Sequence, residues 1–169
     1  GRTPLHCAVS ARDNVSIVSA LLSNTREACT GELGENGSED VRESAPVPAA
    51  VAIVNQRDKK GRTALFAAAS NGFVKVLDVL IHKGNADVNI SDNAGVAPLS
   101  AATAKAPLPV VTALIEAGAL LDTQDKDGCT ALHHAAMHRK DGVVATLLEG
   151  GADGTVLSHN GIAFRDICG

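Results

Sequence analysis

Hydrophobic residues along the chain fall into paired short blocks that return at a fixed distance. Four blocks carry a broad apolar face at helical spacing: Ile17-Val18-Ser19-Ala20-Leu21-Leu22, Val76-Leu77-Asp78-Val79-Leu80-Ile81, Val110-Val111-Thr112-Ala113-Leu114-Ile115 and Val143-Val144-Ala145-Thr146-Leu147-Leu148. Each predicts a helix. Ahead of them stand smaller runs, such as Ala67-Ala68-Ala69 and His134-Ala135-Ala136. These predict a companion first helix whose small side chains let neighbouring layers approach closely.

The period is read from the glycines. Gly61, Gly95, Gly128 and Gly161 are spaced 34, 33 and 33 residues apart, the mark of a repeat architecture. A phrase recurs with them: Gly1-Arg2-Thr3-Pro4-Leu5-His6, Gly61-Arg62-Thr63-Ala64-Leu65-Phe66, Gly95-Val96-Ala97-Pro98-Leu99-Ser100 and Gly128-Cys129-Thr130-Ala131-Leu132-His133. Thr3, Thr63 and Thr130 are placed to cap a helix with their hydroxyls, and Pro4 and Pro98 then fall at the first helical position, where no amide donor is missed. Pro107 and Pro109 sit at the opening turn of a second helix, where proline is tolerated. Gly84, Gly118 and Gly151 fall 23 residues after the glycine that opens their unit and are expected to end the second helices in a left-handed conformation. Asp58, Asp92 and Asp125 each precede the next glycine by three residues. Two short extended arms joined there predict a hairpin.

Thr-Pro-Leu-His, the paired valines or leucines, and Gly84-Asn85-Ala86-Asp87-Val88-Asn89 or Gly151-Ala152-Asp153 resemble the ankyrin repeat. The resemblance covers nearly the whole chain. It implies an all-α ankyrin-repeat solenoid of stacked helix-turn-helix units with short β-hairpin connections. One domain spans 1–169, with repeats at 1–57, 58–91, 92–124 and 125–157 and a partial repeat at 158–169. Gly1 falls inside the template, so the expectation is a piece of a longer protein.

Three departures individualise the pattern. The first unit is about 27 residues too long, and the excess, residues 25–50, is rich in Gly, Ser, Pro and Glu, with six acidic residues against Arg26 and Arg42. Such a composition buries too little to fold, so disorder is expected there. Its charge of −4 equals that of the whole 169-residue chain, which leaves the repeats neutral. In the third repeat Ala97 and Ser100 replace the capping threonine and the histidine, predicting the softest layer. In the last unit Arg165 stands where the template has leucine, so its helix is expected to be a weak cap.

Composition narrows the function. Hydrophobic residues make up 45% of the chain, yet there are three Phe and no Tyr or Trp; thin layers of small aliphatic side chains follow. A net charge of −4 provides no basic footprint for nucleic acid, and no stretch is long and apolar enough for membrane insertion. Cys7, Cys29, Cys129 and Cys168 form neither a CxxC pair nor a disulfide framework. That points to a reducing, intracellular compartment, cytoplasmic or nuclear, with Cys7 and Cys168 read as buried filler.

No catalytic constellation is complete. His134 and His138 have metal-ligand spacing, but Ala135 stands where a zinc protease carries glutamate and no third ligand is in view. The ankyrin resemblance instead implies that His133 pairs with Thr130, and His6 with Thr3. Gly150-Gly151-Ala152-Asp153-Gly154 lacks the Lys and Ser or Thr of a phosphate loop. No cofactor or metal is indicated, and the chain reads as a non-enzyme. Asn89 occupies the position that is hydroxylated in some ankyrin proteins, with a turn-stabilising role as the simpler reading.

The resemblance also implies a monomeric module that binds another protein through a concave face of hairpin tips and first helices. The corresponding positions are Lys59, Lys60, Arg62, Ser70, Asn71, Asn93, Ala94, Val96, Lys105, Lys126, Asp127, Cys129, Met137 and His138. Lys59, Lys60 and Arg62 form the clearest cluster, suited to an acidic segment on the partner or in the chain's own insertion. The alternative is a regulatory or substrate-recruiting arm of a larger enzyme or channel.

Overall fold

The computed structural model describes residues 4–10, 15–27 and 53–167. Its helices alternate in two layers. Helices α1 (Pro4–Ser10), α3 (Ala64–Asn71), α5 (Pro98–Lys105), α7 (Ala131–Met137) and α9 (Phe164–Ile167) form one. Helices α2 (Val15–Glu27), α4 (Val74–His82), α6 (Leu108–Glu116) and α8 (Asp141–Glu149) form the other. Helix α2 runs through Glu27, so the first three residues of the expected insertion, 25–27, are helical; residues 28–50 lie outside the described residues, as do Thr3 and Cys168.

Packing follows side-chain size. In the first layer Ala68, Ala69, Ala102 and Ala135 are fully or almost fully buried, and helices α1, α3, α5, α7 and α9 each lie against the next. The second helices supply larger groups, with Val76, Leu77, Leu80, Val110, Val111, Leu114 and Leu147 buried between the layers. Alanine allows closer approach than valine or leucine. The first helices accordingly pack more intimately with one another than the second helices do, which makes the first-helix side the inward side of the stack.

Local capping explains where the helices begin. Thr63, in extended conformation, accepts a hydrogen bond from the Phe66 amide at 3.1 Å. Thr130 forms a full capping box with His133. Ala97 has no side-chain cap to offer α5. Replacing Ala97→Thr together with Ser100→His should rebuild the Thr130–His133 arrangement and stabilise the chain by about 1 kcal/mol, read as a higher urea midpoint at unchanged slope.

Several expectations are corrected. The connections between repeats are fingers closed by turns: Asp58 N–H donates to Arg62 O at 2.8 Å, and Gly61 N–H to Asp58 O at 2.9 Å. Among the described residues the bridge between Leu157 and Ala163 is the sole β pairing, and each of the four fingers is otherwise closed by one backbone bond across its arms, such as Asp92 N–H to Val96 O at 3.0 Å. Gly84 does not adopt the left-handed conformation; Asn85 takes it at φ 49°, whereas Gly118 and Gly151 follow expectation at 83° and 93°. Cys7 is exposed rather than filler. In α9 Arg165 is exposed and Phe164 is buried instead. The apolar ring moves one position earlier, and Asp166 accepts from the Ala163 amide at 3.0 Å, closing the first turn without threonine.

Candidate functional site: fingertips and first-helix face

Three of the four described fingers are built on a carboxylate. Asp58 Oδ1 accepts from the Lys60 and Arg62 amides at 2.8 and 3.0 Å. Asp92 Oδ1 does the same for Ala94 and Val96, and Asp125 Oδ1 for Asp127 and Cys129. In the last finger Ser158 Oγ accepts from the Ile162 amide. A three-residue spacing between Asp and Gly therefore encodes a turn whose otherwise orphaned amides point at one oxygen.

The fingers also stack on one another. Asn93 N–H donates to Lys60 O at 2.9 Å, Lys126 N–H to Ala94 O at 3.0 Å and His159 N–H to Asp127 O at 3.0 Å. Long side chains add further ties: Arg57 donates to Gly61 O and Ser91 O, and Gln124 to Gly128 O and Leu157 O. Ser91 holds the equivalent position between them and is too short to make that link. A second ladder runs at the finger bases, where Asn55 accepts from Asp87 N, Asn89 from Leu120 N and Asp122 from Asp153 N, at 2.9 to 3.0 Å. Asn89 thus joins two repeats, and its amide nitrogen also reaches Gly118 O at 3.4 Å.

The recurrent histidines bind across repeats as well. His6 Nε2 donates to Arg62 O at 2.7 Å. His133 Nε2 donates to Ile162 O at 3.0 Å, while its Nδ1 accepts from the Thr130 amide at 3.2 Å and lies 2.9 Å from the Thr130 hydroxyl. An amide can only donate and a carbonyl only accept, so His133 is the neutral tautomer with its hydrogen on Nε2. His134, considered above for metal spacing, donates from Nε2 to Asp125 Oδ2 at 2.8 Å, and His138 lies past the end of α7. Among the described residues no group of three or more metal-binding side chains comes together.

Electrostatics reshapes the expected basic cluster. Arg62 donates from Nε and Nη2 to Asp58 Oδ2, at 3.1 and 2.7 Å, and the Asp58 side chain is only 4% exposed. Burial alone pushes the Asp58 carboxyl up. The Arg62 side chain, the Arg62 and Lys60 amides and the guanidinium charge outweigh it and hold the group well below the usual carboxylate range. Asp125 is likewise lowered: burial opposes, but the Cys129 amide, His134 and the Asp127 amide prevail. Arg62 is therefore an internally paired ion, and the cluster contracts to Lys59 and Lys60, both exposed. Burial pushes the Cys129 thiol up, and the Asp125 and Asp127 carboxylates add to it.

Those depressed carboxyls predict a direction with pH. A group whose folded pKa lies below its unfolded value contributes stability above the unfolded value, and loses it as pH falls through the folded one. The chain should lose stability as pH drops below about 4. The double substitution Asp58→Asn and Asp125→Asn should flatten that loss, measured as the difference in urea midpoint between pH 7 and pH 3.

The remaining positions divide by exposure. Asn71, Asn93, Ala94, Lys105, Lys126, Asp127, Met137 and His138 are exposed on fingers or at first-helix ends, while Ser70, Val96 and Cys129 are half-buried. Asn93 is partly committed, since its amide donates to Lys59 O at 3.1 Å. Arg62, Ser70 and Asn71 meet His6, Asp58, Ala67 and Phe73 around a cleft of about 320 Å³. Neither His6 nor Phe73 is among the surface positions expected from sequence; the 56-residue separation of His6 from Arg62 hides the contact behind the insertion.

Two layers of helix pairs joined by stacked fingers define a repeat solenoid, and the chain belongs to the ankyrin repeat family. The model described as "Ankyrin repeats (3 copies)" matches residues 36–125 and 85–158, and "Ankyrin repeat" matches residues 1–30. The chain is similar to human BCL-6 corepressor-like protein 1, 30% identical over 139 residues that cover 82% of this chain and 8% of that protein. It is 36% identical over 111 residues to rat Ankyrin repeat and SAM domain-containing protein 6, covering 65% and 12%. It is 33% identical over 133 residues to human Neurogenic locus notch homolog protein 1, covering 75% and 5%. The chain thus spans a small fraction of these curated relatives. Ankyrin repeats are generally protein-interaction modules, and no described helix is long and apolar enough to cross a membrane.

Proposed function

We propose that this chain is a protein-binding module without catalysis of its own, monomeric, whose partner docks on the fingertips and the first-helix face. One observation carries this reading. The polar groups that could have formed a reactive site, including Asp58, Arg62, Asp125, His133 and His134, are consumed by turn, cap and inter-repeat bonds. The side chains left exposed on the inward face, Lys59, Lys60, Lys105, Lys126, Met137 and His138, are spread over several repeats. Such a spread suits an extended contact with a macromolecule rather than a converging pocket for a small substrate.

The test is capture of the native partner by the intact chain and by two variants. Lys126→Glu with Met137→Ala on the inward face should lower retention about tenfold or more, as loss of a central anchor does. Lys75→Glu with Leu148→Ala on the second helices should leave it unchanged. Equal loss from both would sink the assignment of the face.

A further inference from the structure

Charge is segregated across the stack. On the fingers and at the first-helix ends the exposed ions include Lys59, Lys60, Lys105, Lys126, Arg139 and Lys140, with Asp127 as the acidic exception there before α8 begins. The second helices expose Asp78, Glu116, Asp141 and Glu149 against Lys75, with Lys83 following α4, and Asp87, Asp122 and Asp153 are exposed at the finger bases after them. A repeat set that is neutral as a whole therefore presents a basic inward face and an acidic outward one. The fields add along each face, so the inward face attracts anionic partners even though the protein carries a net charge of −4.

The positive charges on the fingertips are not evenly placed. Lys59 and Lys60 crown the first described finger, Asn93 and Ala94 the next, and Lys126 beside Asp127 the one after. Lys59, Asn93 and Lys126 occupy the same position in successive repeats, and their fingers are joined by backbone hydrogen bonds. Directly packed helices such as α3, α5 and α7 stand about 8–10 Å apart. Two repeats therefore separate the lysines by roughly 20 Å. An extended chain rises about 3.3 Å per residue, so it spans that distance in about six residues. Ala94 and the half-buried Val96 leave a small apolar step midway.

We infer that the partner contributes an extended acidic segment, laid along the fingertips, with two carboxylates about six residues apart on Lys59/Lys60 and Lys126 and a small apolar residue between them. A polyanion such as single-stranded nucleic acid is the weaker fit, because Asn93 and Ala94 interrupt the cations and the described fingers expose no Phe, Tyr or Trp to stack a base, only the His159 imidazole on the last. This inference rests on the inward face being the docking face.

The test uses the full chain and fluorescently labelled ten-residue peptides of one composition, with two glutamates placed six apart, three apart or adjacent. Fluorescence anisotropy should show the six-apart peptide binding about fivefold tighter than the others. Lys126→Glu should abolish that preference, and Lys75→Glu on α4 should preserve it. Equal affinities for the three peptides, a preference that survives Lys126→Glu, or a single-stranded oligonucleotide that binds more tightly than any peptide would each overturn the inference. If the native partner is still retained through the inward face while the peptides show no preference, the acidic-segment assignment falls and the docking face stands.

Discussion

Replacing His133→Ala should destabilise the chain by about 3 kcal/mol and release the last repeat from the stack. The ring is 1% exposed, so its removal leaves a cavity in a packed layer. It also leaves the Thr130 amide without its acceptor and the Ile162 carbonyl without its donor, and an unsatisfied buried group costs about 1–3 kcal/mol. His133→Phe separates the two contributions, because Phe66 already fills the equivalent position of an earlier repeat and is itself buried. That variant keeps the volume and loses the bonds, so its cost should be about 1–2 kcal/mol. Urea midpoints give the totals, and amide exchange of residues 157–167 shows whether α9 undocks. A stability for His133→Ala within about 0.5 kcal/mol of the parent, an about twofold change in equilibrium, would show that the inter-repeat bond contributes little.

Gly128→Ala should cost more than Gly118→Ala although both glycines are left-handed, at φ 76° and 83°. At residue 118 a new Cβ meets nothing within 4 Å, so the cost is the conformational term alone, about 1 kcal/mol. At residue 128 it lies 2.5 Å from the backbone nitrogen of His159, the same amide that donates to Asp127 O. Relief requires the next finger to shift and its ladder bond to stretch, raising the expected loss to about 3 kcal/mol. Equal losses at the two sites would mean that the fingers are not held in register.

The parts of the fold readable from sequence were those encoded within a few residues. Thr63 and Thr130 caps, the Asp–Gly finger turns and the Pro107–Pro109 start of α6 are local geometry, recurring at a fixed period, and the structure contains them. What escaped depends on pairing. Arg62 looked like free charge because its spacing from Asp58 was not read as an ion pair, although four residues around a tight turn bring the two together. His134 and Asp125 are nine residues apart and meet only because the finger folds back onto α7. At α9 the template register implied a buried residue 165; Phe164 offered a larger apolar side chain one place earlier and displaced it. The surface positions were legible as a face of the repeat, whereas the charge segregation between layers emerges only when helices of alternate type are assembled.

The proposed docking face of this ankyrin stack is its fingers and first helices. Hydrogen–deuterium exchange of the full chain, with and without its captured native partner, tests it most directly. The account predicts new protection at residues 59–62, 93–96 and 126–129 and along α5 and α7, with α4, α6 and α8 unchanged. Protection concentrated on α4, α6 and α8, with the fingers exchanging as in the free protein, would contradict it.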